Sequence, residues 1–147
     1  MLRQISVFLE NKKGRLAIAT KLLGDRGIDL VALSIADTTD FGIMRCLVDR
    51  PDEAIAVLSE NGFTASTTEV LAVQVPDVPG GLAHVLQIID DAGINVEYLY
   101  SFVRTPNDNA LILFRVDDTE KCQKLFAENG IVTLTDEQVY GGGCKAQ

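Results

Sequence analysis

The chain has 147 residues, and 13 basic against 21 acidic side chains leave a net charge of −8 and a pI of about 4.5. Lys and Arg so scattered and outnumbered exclude a phosphate-neutralising nucleic-acid binder, and the longest run without Asp, Glu, Lys or Arg, residues 78–89, is far shorter than the roughly 20 apolar residues of a membrane span. A hydrophobic fraction of 47% with 23% charged residues predicts a folded, soluble chain, and a start of Met1-Leu2-Arg3-Gln4 without an apolar leader predicts the cytoplasm.

In chain order, Ile5-Ser6-Val7-Phe8-Leu9 reads as a strand. Leu16, Ala19, Thr20 and Leu23 recur at i, i+3, i+4 and i+7, which predicts a helix with one buried face, stopped at Gly27. Residues 28–36 and 43–48 are rich in β-branched and apolar residues and predict two strands. Asp49-Arg50-Pro51-Asp52-Glu53 supplies a capping residue, a proline at a helix start and acids where the helix dipole favours them. That helix ends at Gly62, and a weaker strand pattern starts at Phe63. The order then repeats: a strand at 72–75, a helix on Leu82, Val85, Leu86 and Ile89 stopped at Gly93, strands at 94–103 and 111–116, a helix opened by Asp117-Asp118-Thr119-Glu120 and ended by Gly130, and a weak strand from Ile131.

The repetition is in the residues as well as the pattern. A shift of 66 positions lays Asn11-Lys12-Lys13-Gly14-Arg15-Leu16-Ala17 over Asp77-Val78-Pro79-Gly80-Gly81-Leu82-Ala83, and Gly27-Ile28-Asp29-Leu30 over Gly93-Ile94-Asn95-Val96. After a two-residue insertion the shift is 68 and lays Val48-Asp49 over Val116-Asp117 and Glu60-Asn61-Gly62 over Glu128-Asn129-Gly130. The expected domains are therefore 1–69 and 70–140, with a tail at 141–147 in which Cys144 is exposed. Each has the order βαββαβ, so the class is α+β: two tandem ferredoxin-like domains, antiparallel sheets with both helices on one face. On the third strands, Met44, Cys46, Val48 and Ile112, Phe114, Val116 point to the helices. The other parity, Ile43, Arg45, Leu47 and Leu111, Leu113, Arg115, is apolar enough to predict cover by another sheet or subunit, hence a homodimer. Tyr98, Tyr100 and Phe102 fit either that surface or an ordinary core.

The most specific chemistry lies in Asp77-Val78-Pro79-Gly80-Gly81-Leu82, with Asn95-Val96 downstream. A glycine turn between strand and helix lets a ligand approach the unpaired N–H groups of the helix N-terminus, which suit a carboxylate, while an adjacent Asp or Asn can accept from an ammonium. This arrangement resembles the ACT domain, a βαββαβ regulatory module that binds amino acids. The resemblance covers both repeats; the first departs from the pattern with Asn11 for Asp, Lys13 for Pro and Asp29 for Asn. It implies that backbone groups around Gly14-Arg15-Leu16 and Gly80-Gly81-Leu82 hold an α-carboxylate and that Asn11 and Asp77 face the α-ammonium. It also implies that the start of the second strand of one domain, Asp29-Leu30 or Asn95-Val96, completes the pocket of a neighbour. Against this, such turns occur for backbone reasons alone, and Asp77 also suits an Asx-turn. Lys12 and Arg15 fit a carboxylate or plain solvation equally.

An enzyme is not expected. His84 is the single histidine, its repeat partner is Ile18, and its position beside the apolar stripe predicts partial burial or a place at an interface. Cys46 and Cys122 sit among apolar neighbours and read as core residues, with no thiolate or histidine cluster for a metal and no cofactor motif. The adjacent acids Asp90-Asp91 and Asp117-Asp118 diverge or cap helices and make poor acid/base partners. Two functions remain: a free-standing amino-acid sensor, or a subunit that docks on an enzyme without binding ligand.

Overall fold

Alternating apolar residues build six strands, β1 (Leu2–Glu10), β2 (Leu30–Asp37), β3 (Phe41–Val48), β4 (Thr64–Pro76), β5 (Val96–Ser101) and β6 (Asn109–Val116). Four helices lie between them, α1 (Arg15–Asp25), α2 (Pro51–Glu60), α3 (Gly81–Asp91) and α4 (Thr119–Glu128), with one π-helical turn at Glu137–Gly141. The computed structural model describes residues 1–37, 40–102 and 109–141; Val103 and Cys144 lie outside the described residues. The chain divides into two compact units, residues 3–68 and residues 69–147 with Met1–Leu2.

In the first unit β3 lies between β1 and β2, antiparallel to both, in a register running from Ile5↔Cys46 to Glu10↔Phe41 and from Leu30↔Val48 to Asp37↔Gly42. Ile5, Val7, Leu9, Met44, Cys46 and Val48 share the face that packs on Ala19 and Leu23 of α1 and Val57 and Leu58 of α2. Phe63 closes that core. The buried stripe of α1 starts one turn later than its periodicity suggests: Leu16 is 40% exposed because the first helical turn borders an open cavity rather than the core.

The second unit repeats the plan. β6 lies between β4 and β5, from Leu71↔Phe114 to Pro76↔Asn109 and from Val96↔Val116 to Ser101↔Ile112. A bulge interrupts β2 between Leu30 and Ala32 and β5 at the matching place, between Val96 and Tyr98. Phe114 and Phe126, both fully buried, meet edge-on with centroids 6.0 Å apart. Two strands were expected around residue 70, and one continuous β4 is found, because no Gly, Pro, Asn or Asp breaks the run from Thr64 to Val75. The weak last strand shrinks to a single bridge, Val73↔Thr133, flanked by the Gln74 N–H on the Val132 carbonyl and the Leu134 N–H on the Ala72 carbonyl.

The structure is thus the tandem βαββαβ arrangement expected, with the helices of each unit on the face shared by its core strand residues. Leu47 and Leu113, of the opposite parity, are already buried within the single chain and no longer argue for a partner subunit. Phe8 and Phe41 of that parity remain 44% exposed, their rings 4.8 Å apart. Among the described residues, no helix is long and apolar enough to cross a membrane.

Candidate functional site

Both units turn from strand into helix through a glycine at positive φ, Gly14 at 89° before α1 and Gly80 at 84° before α3. A residue with a Cβ is strained in that conformation, which explains the glycine in each repeat. Neither helix has a side-chain N-cap bond, and the first intrahelical bonds are Ile18 N–H to the Gly14 carbonyl and His84 N–H to the Gly80 carbonyl. The three preceding N–H groups of each helix therefore have no intrahelical acceptor. One of the three is used locally, Arg15 N–H by the Lys12 carbonyl at 3.3 Å and Gly81 N–H by the Val78 carbonyl at 3.0 Å. The next two, on Leu16 and Ala17 or Leu82 and Ala83, sit at the positive end of the helix dipole.

The side chains differ between the two corners. In the first, Asn11 is pinned by its N–H on the Asp40 carbonyl at 3.0 Å. Lys12 Nζ lies 2.9 Å from the Glu10 carboxylate, and that hydrogen bond, with the lysine's charge, holds the Glu10 carboxyl below its ordinary range. The Arg15 guanidinium lies 4.2 Å above the Phe63 ring, and its buried Nε has no protein acceptor. Arg15 is thus a stacked cation rather than a freely solvated charge. Beside this corner opens a cavity of about 150 Å3 lined by Leu9, Glu10, Asn11, Lys12, Leu16, Ile35, Phe41 and Gly42. It gathers three sequence candidates, Asn11, Lys12 and Leu16, with Gly14 and Arg15 next to them in the chain. Five lining residues were missed. Four of them, Leu9, Glu10, Phe41 and Gly42, meet through the register Leu9↔Gly42 and Glu10↔Phe41, which no single-strand pattern reveals.

In the second unit Asp77, Val78, Pro79 and Gly80 are exposed. A Cβ on Gly81 would overlap the Pro76 carbonyl oxygen, so glycine is needed there for space; the first unit has Arg15 at the matching position. A cavity of about 310 Å3 in this unit is lined by Gln74, Pro76, His84, Val85, Asn109, Asn129, Gly130, Ile131 and Val132, and by none of the residues from Asp77 to Leu82. His84 is exposed on its rim, not half-buried as its stripe suggested, because α3 turns that side away from its core.

Asp29 and Leu30 lie at the other end of their own sheet from the Gly14 corner, since Leu30 pairs with Val48 while the corner adjoins Phe41. Asp29 N–H donates to the Asp49 carboxylate at 3.0 Å, and Asp49 N–H returns a bond to the Asp29 carbonyl at 3.3 Å. The second unit repeats this clamp: Asn95 N–H to the Asp117 carboxylate and Asp117 N–H to the Asn95 carbonyl, both 3.1 Å, with Val96 beginning β5 next to it. Asp49 therefore fastens the start of a strand instead of capping α2, whose N-cap is Arg50 without a side-chain bond. Asp118 does cap α4, accepting from Lys121 N–H at 3.1 Å.

Burial pushes the Cys46 thiol up to about 12 and, with Asp117 and Asp118 adding to it, the Cys122 thiol to about 11. Both are core residues without thiolate character at neutral pH. No group of three or more His, Cys, Asp or Glu able to hold a metal occurs among the described residues.

A family model described as an ACT domain pair matches residues 1–141. Protein BT0572 from Bacteroides thetaiotaomicron superposes with a TM-score of 0.88 at 38% identity, over 95% of each chain. The ligand-free regulatory subunit of aspartate kinase from Thermus thermophilus gives 0.63 at 19% identity over 86% of this chain and 91% of that one, and the Thermus flavus subunit 0.56 at 16% over 87% and 93%. At such identities these two share the fold alone. Among curated proteins no significant match was found. With the family model spanning nearly the whole sequence and a 38% identical structure superposing along it, the chain belongs to the ACT domain pair family.

Proposed function

We propose that the chain is a regulatory protein that binds a free amino acid at its strand-to-helix corners. The observation that carries this reading is the corner itself, repeated in both units: a glycine at positive φ opening a helix whose first N–H groups lack a side-chain cap. Around Gly14-Arg15-Leu16 and Gly80-Gly81-Leu82, the amides left open, on Leu16 and Ala17 or Leu82 and Ala83, receive the α-carboxylate. Asn11 in one corner and Asp77 in the other meet the α-ammonium. The regulatory role is supported by the family and by the shared fold of an aspartate kinase regulatory subunit. The chain itself is proposed to catalyse nothing: among the described residues, the buried thiols of Cys46 and Cys122 and the exposed His84 make no nucleophile–base pair.

Thermal denaturation against each of the twenty amino acids tests this, because a ligand of the native state stabilises it by RT ln(1 + [L]/Kd). At least one amino acid should raise the midpoint, and its decarboxylated and N-acetylated forms should not. Asp77→Ala should weaken its corner more than Asn11→Ala weakens the other, since a charge-assisted bond contributes about 1.5–3 kcal/mol and a neutral one about 1. If no amino acid shifts the midpoint, the chain is instead a docking subunit for an enzyme.

A further inference from the structure

We infer that the first corner selects an amino acid with an apolar side chain, aliphatic or aromatic, and that it does so in the first unit alone. This rests on the amino-acid reading above and specifies its ligand. Two exposed large apolar side chains, Leu16 at 40% and Ile35 at 43%, come from α1 and β2 and border one cavity of about 150 Å3, which Phe41 at the start of β3 also lines. Leu9 adds to that wall. Isolated exposed apolar residues are ordinary, but residues from three separate elements lining one concavity form a desolvating surface.

The polar part of the lining is confined to Glu10, Asn11 and Lys12, consecutive at the end of β1. Glu10 and Lys12 are paired with each other across 2.9 Å, which leaves the zwitterion to the helix amides and Asn11. Among the described residues no further charge lines the cavity, and a ligand with a charged side chain would place that charge against Leu16 and Ile35 without a partner.

The second unit lacks this chemistry at the same places. By the shared register, Ile35 corresponds to Ser101 and Phe41 to Asn109, while Glu10 and Lys12 correspond to Pro76 and Val78. The corner backbone is duplicated; the apolar wall and the ion pair are not.

Calorimetry with the full chain reads both class and stoichiometry. Leucine, isoleucine or phenylalanine should bind at one per chain, and lysine, aspartate and serine at least tenfold more weakly. Across alanine, 2-aminobutyrate and norvaline, affinity should rise about fourfold per methylene, the equivalent of about 0.8 kcal/mol. The double variant Ile35→Ser, Phe41→Asn installs the second unit's residues at two half-exposed positions. It should melt like the parent without ligand and bind leucine at least tenfold more weakly. If only polar or charged amino acids bind, or if the double variant binds leucine like the parent, the apolar selectivity is wrong while the amino-acid reading stands. If none of the twenty binds, the amino-acid reading fails and the selectivity with it.

Discussion

The Gly14 and Gly80 corners have the same backbone and different surroundings. The two glycines have φ of 89° and 84° and open a helix at the same point of each repeat. Yet the next residue is an arginine stacked on Phe63 in one and a glycine pressed against the Pro76 carbonyl in the other. Duplication has kept what the chain needs in order to turn and has freed what surrounds the turn. Where the two units agree, the cause is backbone geometry; where they disagree, packing or a ligand is the place to look.

The cores show the same division, and here substitution should have its largest effect. Phe114 and Phe126 fill the second unit, while the first has Cys46 and Leu58 at the matching positions and admits Phe63 instead. Phe126→Ala should cost about 4 kcal/mol and Leu58→Ala about 3 in urea denaturation. Equal losses would mean that the edge-on ring contact adds nothing beyond buried area.

Next come the glycines. Gly81→Ala drives a Cβ into the Pro76 carbonyl oxygen and should cost about 3 kcal/mol by forcing α3 away from the end of β4. Gly14→Ala and Gly80→Ala meet open space, so only the left-handed backbone opposes them, at about 1 kcal/mol each. A Gly81→Ala protein as stable as Gly14→Ala would mean that the second corner is no tighter than the first.

These contrasts show what could be read in advance. The repeat, the order of elements and the glycine corners were legible because a helix start, a helix stop and a change of hydrophobic period are local signals. Leu16 was misassigned to the core because periodicity cannot tell a stripe that ends over a sheet from one that overhangs it. Asp49 was read as a cap because it precedes Pro51, whereas its carboxylate reaches back to Asp29, twenty residues earlier in the chain. Ile35 and Phe41 were missed for a related reason: their meeting with Leu16 depends on how β1, β2 and β3 pair, and pairing is a property of three segments together.

The duplicated clamp offers a smaller test. Asp49→Ala and Asp117→Ala each delete a carboxylate that accepts from a backbone N–H at the start of a strand, and each should lower stability by about 1 kcal/mol. Because the same bond is lost in each unit, the two losses should agree, and faster amide exchange at Asp29 or Asn95 should report the unit affected. A twofold larger effect at one site would show that the clamp has diverged as the corners have.

The smallest expected effect separates the corners by pH. Lys12 holds the Glu10 carboxyl below its ordinary value, whereas the second unit has Pro76 and Val78 at the matching positions. A carboxyl whose folded pKa is depressed stabilises the fold above its unfolded pKa, and that contribution disappears as pH falls through the folded value. The acid limb of the first unit should therefore carry a Glu10 component that the second unit lacks. Both partners are well exposed, 49% for Glu10 and 73% for Lys12, so 0.5 M salt should remove most of it, the concentration being about that at which screening acts within a few ångströms. Glu10→Gln should flatten the first unit's acid limb slightly and leave the second unit's unchanged, followed by resolved side-chain and amide resonances between neutral pH and the carboxylate range. A Glu10 resonance that titrates like a free carboxyl at low salt would show the pair to be too loosely held to matter, leaving the contrast between the corners to the apolar wall and to Arg15.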